Sequence, residues 1–167
     1  MHHRLLTGLA VVAVVGGLVA AEILSGSSNG SGTGRPAPPL PTSVLVPPKV
    51  TLASLRGKPA AINFWASWCE PCRQEAAALE RLAGTLRGRA RLVGVDWTDG
   101  LGGARSYVSQ YHWRFPNLRD SDGVVGNSYR IQGLPTTFVV NSQGTITDVL
   151  RGPQSFESLR QALHSAG

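Results

Sequence analysis

The sequence predicts an α/β domain built on a mixed sheet. Three observations carry this reading. Two short, largely apolar runs, Pro59 to Trp65 and Arg91 to Trp97, alternate with stretches of helical spacing. The stretch from Thr136 to Leu150 breaks at Asn141-Ser142-Gln143-Gly144, a hairpin signature that joins two antiparallel strands. An amphipathic stretch then closes the chain. Parallel strands need a crossover and hairpin strands do not, so this order gives a mixed central sheet with helices on both faces.

Each element has its own residues. In the first strand Ala60, Ala61, Ile62 and Phe64 predict burial on both sides. Cys69 to Leu86 reads as a helix, with Ala76, Leu79, Leu82, Ala83 and Leu86 at helical spacing. Leu92, Val93 and Val95 mark the second strand, and Gly102 to His112 a short helix. Thr136 to Val140 and Thr145 to Leu150 are the hairpin strands. Ser155 to Ser165 is the last helix, with Phe156, Leu159 and Leu163 on one face. There is no internal repeat.

Upstream the composition changes. Leu5 to Ala21 is almost purely apolar, preceded by Arg4 and followed by Glu22. A bilayer needs about 20 apolar residues, with a lower limit near 17. Residues 1–24 are therefore expected to be a membrane anchor or a signal peptide. The anchor is the favoured reading, and cleavage after Ala21 at the small-residue run Val19-Ala20-Ala21 is the alternative. Arg4 sets the orientation, with the remainder of the chain outside the cytoplasm. Residues 25–46, rich in Gly and Ser and then in Pro, read as a tether. The folded domain is expected over residues 47–167.

The chain has 167 residues, 42% hydrophobic and 16% charged, enough for one conventional core. The net charge is +6. Nucleic acid is not an expected partner, because the arginines are scattered and the densest run, Arg87, Arg89 and Arg91, has no interleaved aromatics.

Only two cysteines are present, Cys69 and Cys72, separated by Glu70 and Pro71. So small a ring constrains the unfolded chain little, so reactivity explains the pair better than stapling does. Zinc would need more ligands, and His2, His3, His112 and His164 form no second ligand pair. Neither a metal nor another cofactor is expected. The pair falls where a strand ends and a helix begins, so the helix N-terminus favours a thiolate at Cys69. Pro71 suits the first helical turn, where a missing N–H costs nothing. Cys69 is then the attacking thiol and Cys72, deeper in the turn, the resolving one.

The run Asn63-Phe64-Trp65-Ala66-Ser67-Trp68-Cys69-Glu70-Pro71-Cys72, within Gly57 to Glu75, resembles the membrane-tethered thioredoxin-like family of cytochrome c maturation thioredoxins and DsbE-type proteins. Gly133-Leu134-Pro135-Thr136-Thr137-Phe138, Asp120-Ser121-Asp122-Gly123 and Gly144 match in order, and the likeness covers roughly residues 47 to 165. It implies a thioredoxin fold and a thiol–disulfide oxidoreductase with a redox-active disulfide, Cys69–Cys72. It implies that Pro135 is a cis-proline facing the cysteines, with Leu134 offering its backbone to a substrate strand. It implies as partners cysteine-containing exported proteins, among them apocytochrome c, and a membrane electron donor such as a CcdA/DsbD-like protein. A DsbE-like oxidant of secreted proteins and a thioredoxin-fold binding or sensor module are the alternatives.

Asn63 departs from the aspartate of cytoplasmic thioredoxins and cannot accept a proton. Glu75, three residues past Cys72 on the same helical face, is the candidate substitute. Trp68 is expected to shape the surface around Cys69 and Trp65 to pack inside. Trp97 is read as a core residue or a wall of the substrate groove. His112 and Trp113 read as loop or helix-end residues without a role.

Overall fold

The computed structural model describes residues 32–167. The expected anchor, residues 1–24, and residues 25–31 lie outside the described residues. Among the described residues no helix is long and apolar enough to cross a membrane. The elements in chain order are β1 (Ser43–Val46), α1 (Leu52–Leu55), β2 (Ala60–Trp65), α2 (Glu70–Thr85), β3 (Arg91–Trp97), α3 (Leu101–Gln110), β4 (Asn117–Asp120), α4 (Val124–Tyr129), β5 (Thr136–Val140), β6 (Ile146–Arg151) and α5 (Phe156–Ser165).

The strands form one mixed sheet in the order β1-β4-β3-β2-β5-β6. β2, β3 and β4 run parallel, while β1, β5 and β6 each pair antiparallel with their neighbours. Every residue of β2 is buried, as a central strand with both faces covered requires. Side chains alternate across it. Ala61 and Trp65 join a core with Leu79 and Leu82 of α2, Ala104 and Tyr107 of α3, and Leu159 and Leu163 of α5. Ile62 and Phe64 join a second core with Leu55 of α1, Tyr129 of α4, Phe138 and Ile146. Helices therefore cover both faces.

The stretch expected to be a tether is already packed on the domain before residue 47. Ala37 and Leu40 are buried, Pro36 bridges to Thr145, and the Gly34 and Ala37 amides donate to the Ile146 and Gly144 carbonyls. β1 pairs with β4 as an edge strand. The prolines of this stretch fit an edge, where a missing donor costs nothing, so the packed chain begins upstream of residue 47. Trp113 lies in the loop after α3, as its reading had it. It is buried, and its indole N–H donates to the Ala76 carbonyl of α2 at 3.0 Å.

The topology gathers one edge of the sheet. The C-terminal ends of β2 and β3 and the start of antiparallel β5 all lie there. The chain leaves β2 into the Ser67–Cys72 segment, leaves β3 into residues 98–100, and enters β5 from Leu134-Pro135.

Candidate active site

Cys69 is the N-cap of α2, in extended conformation, and its Sγ accepts from the Cys72 N–H at 3.1 Å. A cap normally offers a side-chain oxygen to the free amides of the first turn; here sulfur takes that place. The two cysteines form a disulfide with Cα atoms 5.3 Å apart. Both cysteines are buried, Cys69 at the helix end 4% exposed and Cys72 1% exposed.

Beneath them lies a buried polar cluster. Glu75 on α2 is 1% exposed. Its Oε1 accepts from the Asn63 side-chain amide at 2.7 Å and its Oε2 from the Gln154 backbone N–H at 3.1 Å. Asn63 also donates to Thr137 Oγ1 at 2.9 Å. Burial pushes the Glu75 pKa up to about 7, against the Asn63 and Gln154 bonds, which favour the charged form. Asn63 thus supplies the orientation and Glu75 the titratable group.

The surface around Cys69 is pinned from the β3 side. Trp68 is 58% exposed, with its indole N–H 3.3 Å from the Thr98 carbonyl. Asp99 accepts from the Ser67 N–H at 2.6 Å and from Ser67 Oγ at 3.0 Å. Arg119 donates to the Asp99 carbonyl at 2.8 Å and pairs with buried Asp96 at 3.0 Å. Burial pushes Asp96 up to about 7, and the Asp99 charge adds to the rise while Arg119 opposes it. Sequence reasoning left Asp99 and Arg119 without a role; an acid two residues beyond a strand end carries no signal of its own. Glu70 and Arg73 form an exposed pair at 3.3 Å, which contributes little.

The Leu134–Pro135 peptide bond is cis, and the Pro135 carbonyl accepts from the Gly152 N–H at 2.9 Å. Leu134 is half-buried between the two cores. Trp65 is fully buried, stacked on Tyr107 and bonded to Asn117 Oδ1 at 2.9 Å. Gly94 leaves room for that bond, since a Cβ there would run into the Asn117 side chain. Trp97 is partly buried against the second core, and its Nε1 has no partner among the described residues.

A thioredoxin fold whose single cysteine pair caps the helix after the first central strand defines the chain as a thiol–disulfide oxidoreductase. The pattern of the AhpC/TSA family matches residues 33–149, and the chain belongs to that family. It is 30% identical over 168 residues to the thioredoxin-like protein YneN of Bacillus subtilis, covering 98% of each chain. It is 26% identical over 165 residues to the thiol-disulfide oxidoreductase ResA of Bacillus cereus, covering 96% of this chain and 95% of that one. Among solved structures, a secreted Mycobacterium tuberculosis disulfide oxidoreductase homologous to E. coli DsbE superposes with a TM-score of 0.67 at 29% identity. That match covers 75% of this chain and 95% of the other.

Proposed function

We propose that the protein acts outside the cytoplasm as a reductant of cysteine pairs in exported polypeptides, the step that cytochrome c maturation needs before haem attachment. The Cys69 thiolate attacks one sulfur of the substrate disulfide, and the other sulfur leaves as a thiolate that takes up a proton. Cys72 then gives its proton to Glu75 and attacks Cys69. The second substrate thiol departs, and the protein keeps the Cys69–Cys72 disulfide. Two electrons have passed to the substrate, and a membrane dithiol donor of the CcdA/DsbD kind returns them. Trp68, Leu134 and Pro135 form the substrate-facing surface, and Leu134 offers backbone hydrogen bonds to an added strand.

One observation carries the direction. A buried carboxylate, Glu75, lies one turn past Cys72 with its pKa raised to about 7. At neutral pH it is partly ionised, so it can accept a proton while its charge opposes an over-stabilised thiolate. Strong oxidants need the opposite, a strongly stabilised reduced form. The apolar run Leu5 to Ala21 supports a single-pass anchor, and the secreted nature of the Mycobacterium tuberculosis relative supports the same side of the membrane. The test is the reduction potential, equilibrated against glutathione. A value below about −180 mV is expected, and one above about −150 mV would overturn the reductant reading.

A further inference from the structure

Three arginines far apart in the sequence meet in one cavity beside the cis-proline segment. The cavity, about 210 Å³, is lined by Gly32, Arg35, Tyr129, Arg130, Gln132, Thr136, Phe138, Val149 and Arg151, and none of these is acidic. Its geometry follows from strand pairing. Thr136 lies opposite Arg151 and Phe138 opposite Val149. Residues two apart share a face, so the pairs stand side by side and form one wall. The end of α4 adds Tyr129 and Arg130, with Arg130 in left-handed conformation at φ 60°. The N-terminal segment brings Arg35, held by its Nη2 bond to the Tyr129 carbonyl at 3.2 Å and by the Ile146 N–H on its own carbonyl.

The chemistry of this cavity asks for an anion. Arg35 Nε is buried and has no acceptor among the described residues, a deficit that native structures seldom leave. Guanidinium groups match a carboxylate in plane and in donor spacing. Phe138 and the Tyr129 ring give the apolar contact that the methylenes of an acidic side chain would use. The place indicates that the anion arrives on a polypeptide. Arg130, Gln132 and Thr136 bracket Leu134-Pro135 in sequence, and Gly152, next to Arg151, bonds the Pro135 carbonyl.

We propose that Arg35 and Arg130 receive an acidic side chain of the disulfide-bearing substrate as it lies along Leu134-Pro135, so that the protein prefers acidic cysteine-pair substrates. This rests on the oxidoreductase reading above and adds the substrate class. The experiment uses the full-length chain, reduced and freed of reductant, with two disulfide peptides that differ only in Glu against Gln at the positions flanking the cysteines. The expected result is a second-order rate constant for single-turnover reduction of the Glu peptide about fivefold higher at low salt than for the Gln peptide, the size of a solvent-accessible ion pair. The ratio should shrink as salt is added. In Arg130→Gln it should fall toward one, and in Arg130→Lys most of it should survive. Arg130 is the first choice because it is exposed, whereas Arg35 also holds Tyr129. Equal rates for the two peptides in the parent protein overturn the proposal. So does a preference that Arg130→Gln leaves intact. Failure to reduce either peptide would instead strike the reductant reading.

Discussion

The Asn63 side-chain amide holds the Glu75 carboxylate at 2.7 Å, across the buried boundary between β2 and α2. An aspartate at position 63 would set two acids against each other in one buried place. Asparagine donates instead, so the titratable group moves from the strand to the helix that carries the cysteines. The amide can orient the acid but cannot discharge it, and Glu75 remains the group whose charge follows pH.

That charge has a sign in stability. The folded pKa of Glu75 is raised from the ordinary 4.5 to about 7. Its contribution to stability is therefore fully present below about 4.5 and is lost as pH rises through 7. Glu75→Gln should remove this loss, at most about 3 kcal/mol. Thermal unfolding of the oxidised protein between pH 4.5 and 8 should show a shallower decline in the variant. Asp96, raised to about 7 for the same main reason, leaves a residual slope of the same sign. The variant should also be more oxidising, on the order of 30 mV, because a charge opposing the thiolate is gone. An unchanged potential would place Glu75 outside the reaction.

Cys72→Ala should accumulate mixed disulfides with substrate, and Cys69→Ala should not. Cys69 stands at the helix end, where the free amides of the first turn favour its thiolate. Non-reducing electrophoresis after incubation with a disulfide peptide reads the result. Trapping by Cys69→Ala alone would reverse the two roles.

A fragment starting at residue 47 should be less stable than one starting at residue 32. The shorter one lacks β1 and uncovers core that Ala37 and Leu40 close. Losing two buried apolar side chains and an edge strand should cost several kcal/mol, at roughly 1–3 kcal/mol per side chain. Urea unfolding of the two fragments compares them directly, and equal midpoints with equal slopes would show that residues 32–46 contribute nothing.

The central elements were legible because their patterns are unambiguous. β2 and β3 are largely apolar runs, α2 repeats its apolar residues at helical spacing, and Asn141 to Gly144 announces a turn. β1 and β4 were not. Ser43–Val46 is four residues among prolines, which resembles a tether, and Asn117–Asp120 is mostly polar. Asn117 is buried because the Trp65 indole needs an acceptor, a reason that exists only in three dimensions. The cysteines and Glu75 were readable from helix spacing. The burial of Glu75 was not, since it depends on Gln154, 79 residues away. Trp113 was read as a loop or helix-end residue and lies in the loop after α3; its packing on α2 could not be read, since Ala76 is 37 residues away.

Asp99 provides the last test, because two of its effects separate by pH. Its carboxylate takes two bonds from Ser67, two residues before Cys69. Asp99→Ala leaves the Ser67 N–H without that acceptor, a loss of about 1–3 kcal/mol. The same carboxylate raises the pKa of Asp96, so above pH 7 the two charges repel. Removing Asp99 relieves that repulsion only where Asp96 is ionised. At pH 5 Asp96 is protonated in the fold, and the full cost of the lost bonds should appear. At pH 8 the relief should offset part of it. Asp99→Ala should therefore destabilise more at pH 5 than at pH 8, measured by urea unfolding at both. Asp99→Asn keeps an acceptor for the Ser67 N–H, and the hydroxyl can rotate to accept from the new amide. It should lose less at either pH while retaining the pH difference. A loss that is equal at both pH values, or larger at pH 8, would show that Asp99 and Asp96 do not share their charge.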